Sequence, residues 1–179
     1  MAKSPKAVDT SHGKVFERYF STETASLDQK LPITIERVID SAAAGSVIRG
    51  ADCDFKLTIR GEKPGRPYHF LLEMKASVRF DTFGPGFKEL IDSSQLARMK
   101  KAERAGSIGL YLFYSIPTGM VEVWDAHKLH VPYYTRGKAN TLEQESPVLT
   151  VAKRNLRTWV SMTCANPEVF VSHIVGSRV

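Results

Sequence analysis

Apolar residues first recur at helical spacing near the N-terminus. In the run from Ser11 to Phe20, Val15, Phe16, Tyr19 and Phe20 fall on one stripe, with Ser11 as a cap and Glu17 off the stripe. Residues 1–10 offer only Lys3, Pro5, Lys6 and small polar side chains, the pattern of a flexible basic arm. Residues 21–32 are polar and end in Leu31-Pro32, which reads as a connection. Ile33 to Ile39 fits a strand or a helix, and Ser41 to Gly45 is turn-like. Val47 to Ile59 predicts a strand, with Phe55, Leu57 and Ile59 alternating against Lys56, Thr58 and Arg60. Gly61 to Pro67 has turn composition, and Tyr68 to Met74 predicts the second strand of a hairpin.

Beyond the hairpin, Ser77 to Gly86 reads as a loop carrying Phe80 and Phe83. A helix is expected from Phe87 to Ala105, ending at Gly106, with Leu90, Ile91, Leu96 and Met99 inward. Ile108 to Ser115 is a continuous apolar run, the mark of a central strand buried on both faces. Met120 to Trp124 predicts an antiparallel neighbour after the Pro117-Thr118-Gly119 turn. Asp125 to Val151 is mixed, Lys153 to Met162 suggests a short basic helix, and Val169 to Val175 is apolar enough to dock on the body. This order predicts an α/β protein with a mixed central sheet flanked by helices.

Composition narrows the functional classes. The 179 residues are 42% hydrophobic and 25% charged, which excludes disorder over most of the chain, and no apolar run is long enough to span a membrane. The N-terminal residues lack the apolar stretch of a secretory signal, and Cys53 and Cys164 stand apart, so neither a disulfide framework nor a zinc site is expected. A cytoplasmic location follows. With 25 Lys and Arg against 19 Asp and Glu, the net charge of +6 suits a polyanionic partner, nucleic acid before membrane.

The chemistry concentrates in Ala51-Asp52-Cys53-Asp54-Phe55 and Leu71-Leu72-Glu73-Met74-Lys75. Glu73 and Lys75, two apart on a strand, share a face, while Met74 points to the core. The hairpin can set Asp54 beside Glu73. Two carboxylates and water suit a hard cation, Mg²⁺ above all, with Mn²⁺ as a substitute, and a nearby lysine can serve a water or a phosphate.

This arrangement, Asp54 followed by Glu73-x-Lys75, resembles the PD-(D/E)XK motif of restriction-endonuclease-like nucleases. Gly13-Lys14-Val15-Phe16-Glu17 resembles the first helix of Holliday junction resolvases of the RecU and archaeal types. Ser94 to Met99 resembles their glutamine-bearing segment, and Ala105 to Tyr114 the glycine and apolar strand after it. The resemblance covers residues 11–125 and implies a restriction-endonuclease-like core. It implies a homodimeric, Mg²⁺-dependent endonuclease acting on four-way DNA junctions. By position, Asp54 and Glu73 would bind metal with the Met74 carbonyl, Lys75 would serve the nucleophilic water, Glu17 would complete the acidic site, and Gln95 would orient Lys75 or a water. Asp52 has the same strand parity as Asp54; Asp54 is preferred because its pairing with Phe55 matches the Asp-aromatic pattern. Residues 11–179 are read as one nuclease domain with an extension at 126–179 that matches nothing placed, and small size suggests a phage or mobile-element enzyme.

Other readings stand beside these. Glu73 and Lys75 could be a surface pair on an edge strand. Lys63 and Arg66 at the hairpin tip, and Arg98, Lys101 and Arg104 on a helix, are candidate nucleic-acid contacts or solvated faces. Lys153, Arg154 and Arg157 form another basic cluster. His12 could reach the site or cap the helix and is given no chemical role, His69, His127, His130 and His173 are read as structural, and Phe80, Phe83 and Phe87 as core. The rival functions are another nuclease on the same core, a non-cleaving DNA binder, and a protein with no nucleic-acid role.

Overall fold

The computed structural model describes residues 10–38, 53–60, 65–134 and 145–178. Strand β2 (Phe55–Ile59) turns Phe55, Leu57 and Ile59 inward and Lys56 outward, as its alternation predicts. Strand β3 (Tyr68–Ser77) pairs with it antiparallel, Phe55 opposite Leu72 and Ile59 opposite Tyr68. Strand β1 (Ile33–Arg37) joins the other side of β2, so the segment that fitted either element is a strand. Strand β4 (Ile108–Ser115) runs parallel to β3 and is buried along nearly its whole length, the expected central strand. β5 (Met120–Asp125) and β6 (Leu149–Ala152) follow antiparallel, giving a mixed six-stranded sheet in the order β1-β2-β3-β4-β5-β6.

The parallel step from β3 to β4 requires a crossover. It is made by α2 (Phe87–Leu90) and α3 (Ser93–Arg104). One continuous helix was expected here. Instead Ile91 and Asp92 are extended, and the Asp92 carboxylate accepts the N–H groups of Ser94 and Gln95, starting a new helix. The far end matches expectation: Gly106 takes φ +93°, and the N–H groups of Gly106 and Ser107 close back on Glu103 and Ala102.

Helices cover both faces of the sheet. On one, α1 (Thr10–Thr24), α5 (Leu156–Ala165) and α6 (Pro167–Gly176) set Phe16, Phe20, Val160 and Ile174 against Phe55, Leu72 and Leu112. On the other, α2, α3 and α4 (Ala126–Tyr134) set Phe87, Leu96, Met99 and Leu129 against Leu71, Tyr111 and Phe113. Each fully buried side chain of this kind is worth about 1.5–3 kcal/mol. Phe16 meets Tyr114 with ring centroids 5.2 Å apart and Phe20 meets Phe55 at 4.9 Å, which fixes α1 over the strands that carry the acidic residues.

Several expectations need correction. α1 opens at Thr10, so Ser11 lies inside the helix, and it continues to Thr24 into the expected connection. Val15 is 59% exposed and not part of the inward stripe, because Phe16 and Phe20 with the half-buried Tyr19 already fill the contact with the sheet. The mixed stretch after Asp125 holds α4 and, further on, β6. Lys153–Asn155 forms a 3-10 turn before α5, so the basic helix starts only at Leu156. The apolar C-terminal segment is α6, docked through Ile174 but with Val169 and Val175 exposed. The extension thus completes the same sheet and contributes to both cores, α4 to one and α5 and α6 to the other. Phe83 and Phe87 are core residues and Phe80 packs against them. The turn at 41–45, the strand portion at 47–52 with Asp52, the tip residue Lys63 and all of the arm but Thr10 lie outside the described residues.

Candidate active site

Asp54 sits just before β2, held between its neighbours: its N–H donates to Leu72 O at 3.0 Å, and its carbonyl accepts the Val38 N–H at 2.8 Å. Its side chain reaches across to β3, where Oδ2 accepts the Met74 N–H at 2.6 Å. Glu73 therefore lies beside Asp54, and its side chain is only 2% exposed. Lys75, two residues on, donates to Glu73 Oε1 at 2.7 Å and to Gln95 Oε1 at 3.1 Å. Gln95 arrives from the first turn of α3, whose start Asp92 fixes. Met74 turns its side chain into the opposite core, leaving only its backbone at the site. The surface-pair reading of Glu73 and Lys75 on an edge strand fails, since β3 lies between β2 and β4 in the sheet and Glu73 is buried, although the β2 pairing itself ends at Leu72.

Glu17 approaches from α1. Its carboxylate is paired with Arg37 at 2.9 Å and makes both Asp54 and Glu73 harder to ionise. Burial, then Glu73, push Asp54 up to about 7, against the Met74 hydrogen bond and the Lys75 charge, which pull it down. Burial also raises Glu73, with Lys75 and Gln95 opposing. Buried acids crowded together with raised pKa values mark a site that would gain from a cation.

The donor set fits a hard divalent cation. Glu73 Oε2 is buried with no hydrogen-bond partner, and Asp54 supplies a second carboxylate. Among the described residues no group of three or more His, Cys, Asp or Glu could hold a metal ion, so Glu17 is not placed as a direct ligand. A cation here would rest on Asp54, Glu73, the Met74 carbonyl and water, a combination Mg²⁺ accepts because it keeps several waters.

The basic candidates differ in placement. Lys101 and Arg104 are exposed on α3, and Arg66 is exposed beside the hairpin tip. Arg98 is half-buried, donates to Ser94 Oγ at 3.1 Å and helps hold the Asp92 charge. Lys153 lies over the rings of Tyr19 and Tyr114, at 4.2 and 4.8 Å, and Arg157 bonds Ser26, leaving Arg154 as the exposed member of that cluster. The sequence reading missed Arg37, Asp92 and Tyr111. Asp92-Ser93-Ser94 carried a readable cap signal; Arg37 and Tyr111 reach the site only through strand pairing.

No protein-family profile and no curated protein matches the chain. Among solved structures it is similar to that of Archaeoglobus fulgidus Hjc, a Holliday junction resolvase from an archaeal hyperthermophile. The identity is 11% and the TM-score 0.43, over 85% of this chain and 99% of that one. The side chains of the site, not that likeness, carry the functional reading. No helix among the described residues is long and apolar enough to cross a membrane.

Proposed function

We propose that this chain is a Mg²⁺-dependent endodeoxyribonuclease whose favoured substrate is a four-way DNA junction, cut by a homodimer. The observation that carries the reading is the convergence on one partly buried point of Asp54, just before β2, Glu73 and Lys75 on β3, and Gln95 on α3. Asp54, Glu73 and the Met74 carbonyl would hold the cation. When bound, it supplies Lewis acidity toward the scissile phosphate and makes a nearby water more acidic. Lys75 places its ammonium where an attacking water or a developing phosphate charge would be stabilised, and Gln95 holds that ammonium in place. Glu17 adds negative charge that favours cation entry. On α3, Lys101 and Arg104 are exposed about 9 and 13 Å along the helix axis from Gln95, on sides of the helix turned away from it, and serve as candidate contacts for a phosphate backbone that passes beyond the site. The junction preference and the homodimer rest on the motif resemblance, and two-fold symmetry suits paired cuts in opposing strands.

The test is cleavage of a mobile four-way junction, a Y-fork, linear duplex and single strand, each in Mg²⁺ and in EDTA, with wild type and Glu73→Gln. Paired symmetric nicks in the junction alone, lost with EDTA and in the variant, are expected. Equal cutting of duplex would make the chain a general nuclease on the same site. Tight junction binding without cutting in either protein would make it a structural binder and overturn the catalytic reading.

A further inference from the structure

A second buried group shares the wall of this site. Tyr111 lies opposite Glu73 in the parallel β3–β4 pair, on the face covered by α3 and α4. Its ring is fully enclosed and stacks on Phe83 with centroids 6.3 Å apart, in a cluster with Phe113 and Trp124. Phenylalanine would fill that space equally well. The hydroxyl is what needs a reason, because Oη is sealed from solvent and has no hydrogen-bond partner. A buried hydroxyl left in that state costs about 1–3 kcal/mol.

Glu73 Oε2, on the neighbouring strand, is likewise buried and unpartnered, while its sister oxygen takes the Lys75 ammonium. Burial first, then the Glu73 charge, push the phenol's pKa up, ahead of Asp92 and Tyr133. The phenol is thus a neutral donor at neutral pH, on the strand beside Glu73, whose Oε2 has no hydrogen-bond partner in this arrangement. A carboxylate that holds a cation must keep one orientation, and outer partners that fix such ligands are worth about tenfold or more in metal affinity. Lys75 bonds Oε1 and Gln95 also steadies the carboxylate, but both belong to the proposed reaction machinery, which leaves a purely positioning partner for Oε2 to come from elsewhere.

We propose that Tyr111 is a positioning residue for Glu73, its hydroxyl donating to Oε2 when the carboxylate engages the divalent cation. This rests on the metal-site reading above. The test is calorimetric titration of the DNA-free full chain with MgCl₂, together with thermal melting and cleavage kinetics. Wild type, Tyr111→Phe, Glu73→Gln and the double variant are compared. Tyr111→Phe is expected to melt no lower than wild type, to bind Mg²⁺ about tenfold more weakly and to lose kcat with KM for DNA unchanged. The double variant is expected to lose no more than Glu73→Gln alone. Wild-type Mg²⁺ affinity in Tyr111→Phe, whether or not its melting temperature falls, overturns the positioning role and leaves the metal site standing. A further additive loss in the double variant also overturns it. Wild type that binds no Mg²⁺ overturns the metal-site reading itself, and the tether with it.

Discussion

Burial and Glu73 push Asp54 up to about 7, whereas an unfolded chain releases that proton near about 3.9. Between those values the native state keeps a proton the unfolded state has lost, so stability falls as pH rises through the window. Below it both states are protonated and the penalty vanishes; above it the penalty is complete. Asp54→Asn cannot ionise and can still accept the Met74 N–H. In EDTA it should match wild type near pH 3 and exceed it by about 4 kcal/mol at pH 8, about three pKa units at about 1.4 kcal/mol each, read from urea unfolding. Equal stability at pH 8 would mean that Asp54 ionises without penalty. Lys75→Met should act in the opposite sense. It leaves Glu73 buried without its counter-charge, costing about 3 kcal/mol at pH 8 and less as acid protonates Glu73, and it should lower kcat by about 100-fold. Restored stability in Lys75→Met/Glu73→Gln would confirm the source of the loss. These residues were legible in the sequence because strand parity alone sets Glu73 with Lys75. The pairing of Glu17 with Arg37 was not, since it joins a helix to an edge strand through no local pattern.

α3 shows how an element carries a site and where pattern reading stops. Its inward residues Leu96 and Met99 and its end at Gly106 follow from spacing and from glycine's freedom. Its start does not, because the apolar pattern runs through Ile91 and only the Asp92 cap divides the two helices. The same cap sets the register of Gln95. Asp92→Ala should cost about 1 kcal/mol and lower kcat more than it raises KM, and Asp92→Ser should recover both, as measured by steady-state cleavage with thermal melts. Farther along the helix, Lys101→Ala and Arg104→Ala should each weaken DNA binding without regard to sequence. Each should reduce the slope of log affinity against log salt by about 1, and unchanged slopes would remove α3 as a phosphate track.

At the scale of the molecule, the residues after β5, which the sequence left unplaced, finish the body that holds the site rigid. β6 closes the far side of the sheet, and α5 and α6 cover the face opposite α3. Arg178, just beyond α6, ties those layers together. Its guanidinium donates to both oxygens of Asp125, at 2.7 and 2.8 Å, and lies 3.4 Å from Glu103 on α3. Asp125 is fully buried at the joint between β5 and α4, where it also accepts the His127 N–H. Without Arg178 that carboxylate would be a buried charge lacking its guanidinium partner, a loss of about 3 kcal/mol. For a chain of this size that is about 8 °C in melting temperature. Glu103 lies at the end of α3 away from Gln95, so the loss should be structural rather than chemical. Arg178→Ala should therefore melt about 8 °C lower yet cleave within about threefold of wild type at 20 °C, and adding Asp125→Asn should recover much of the stability. A collapse of kcat at 20 °C with the fold intact would instead show that the clasp reaches the site, through α3 and the seat of Gln95.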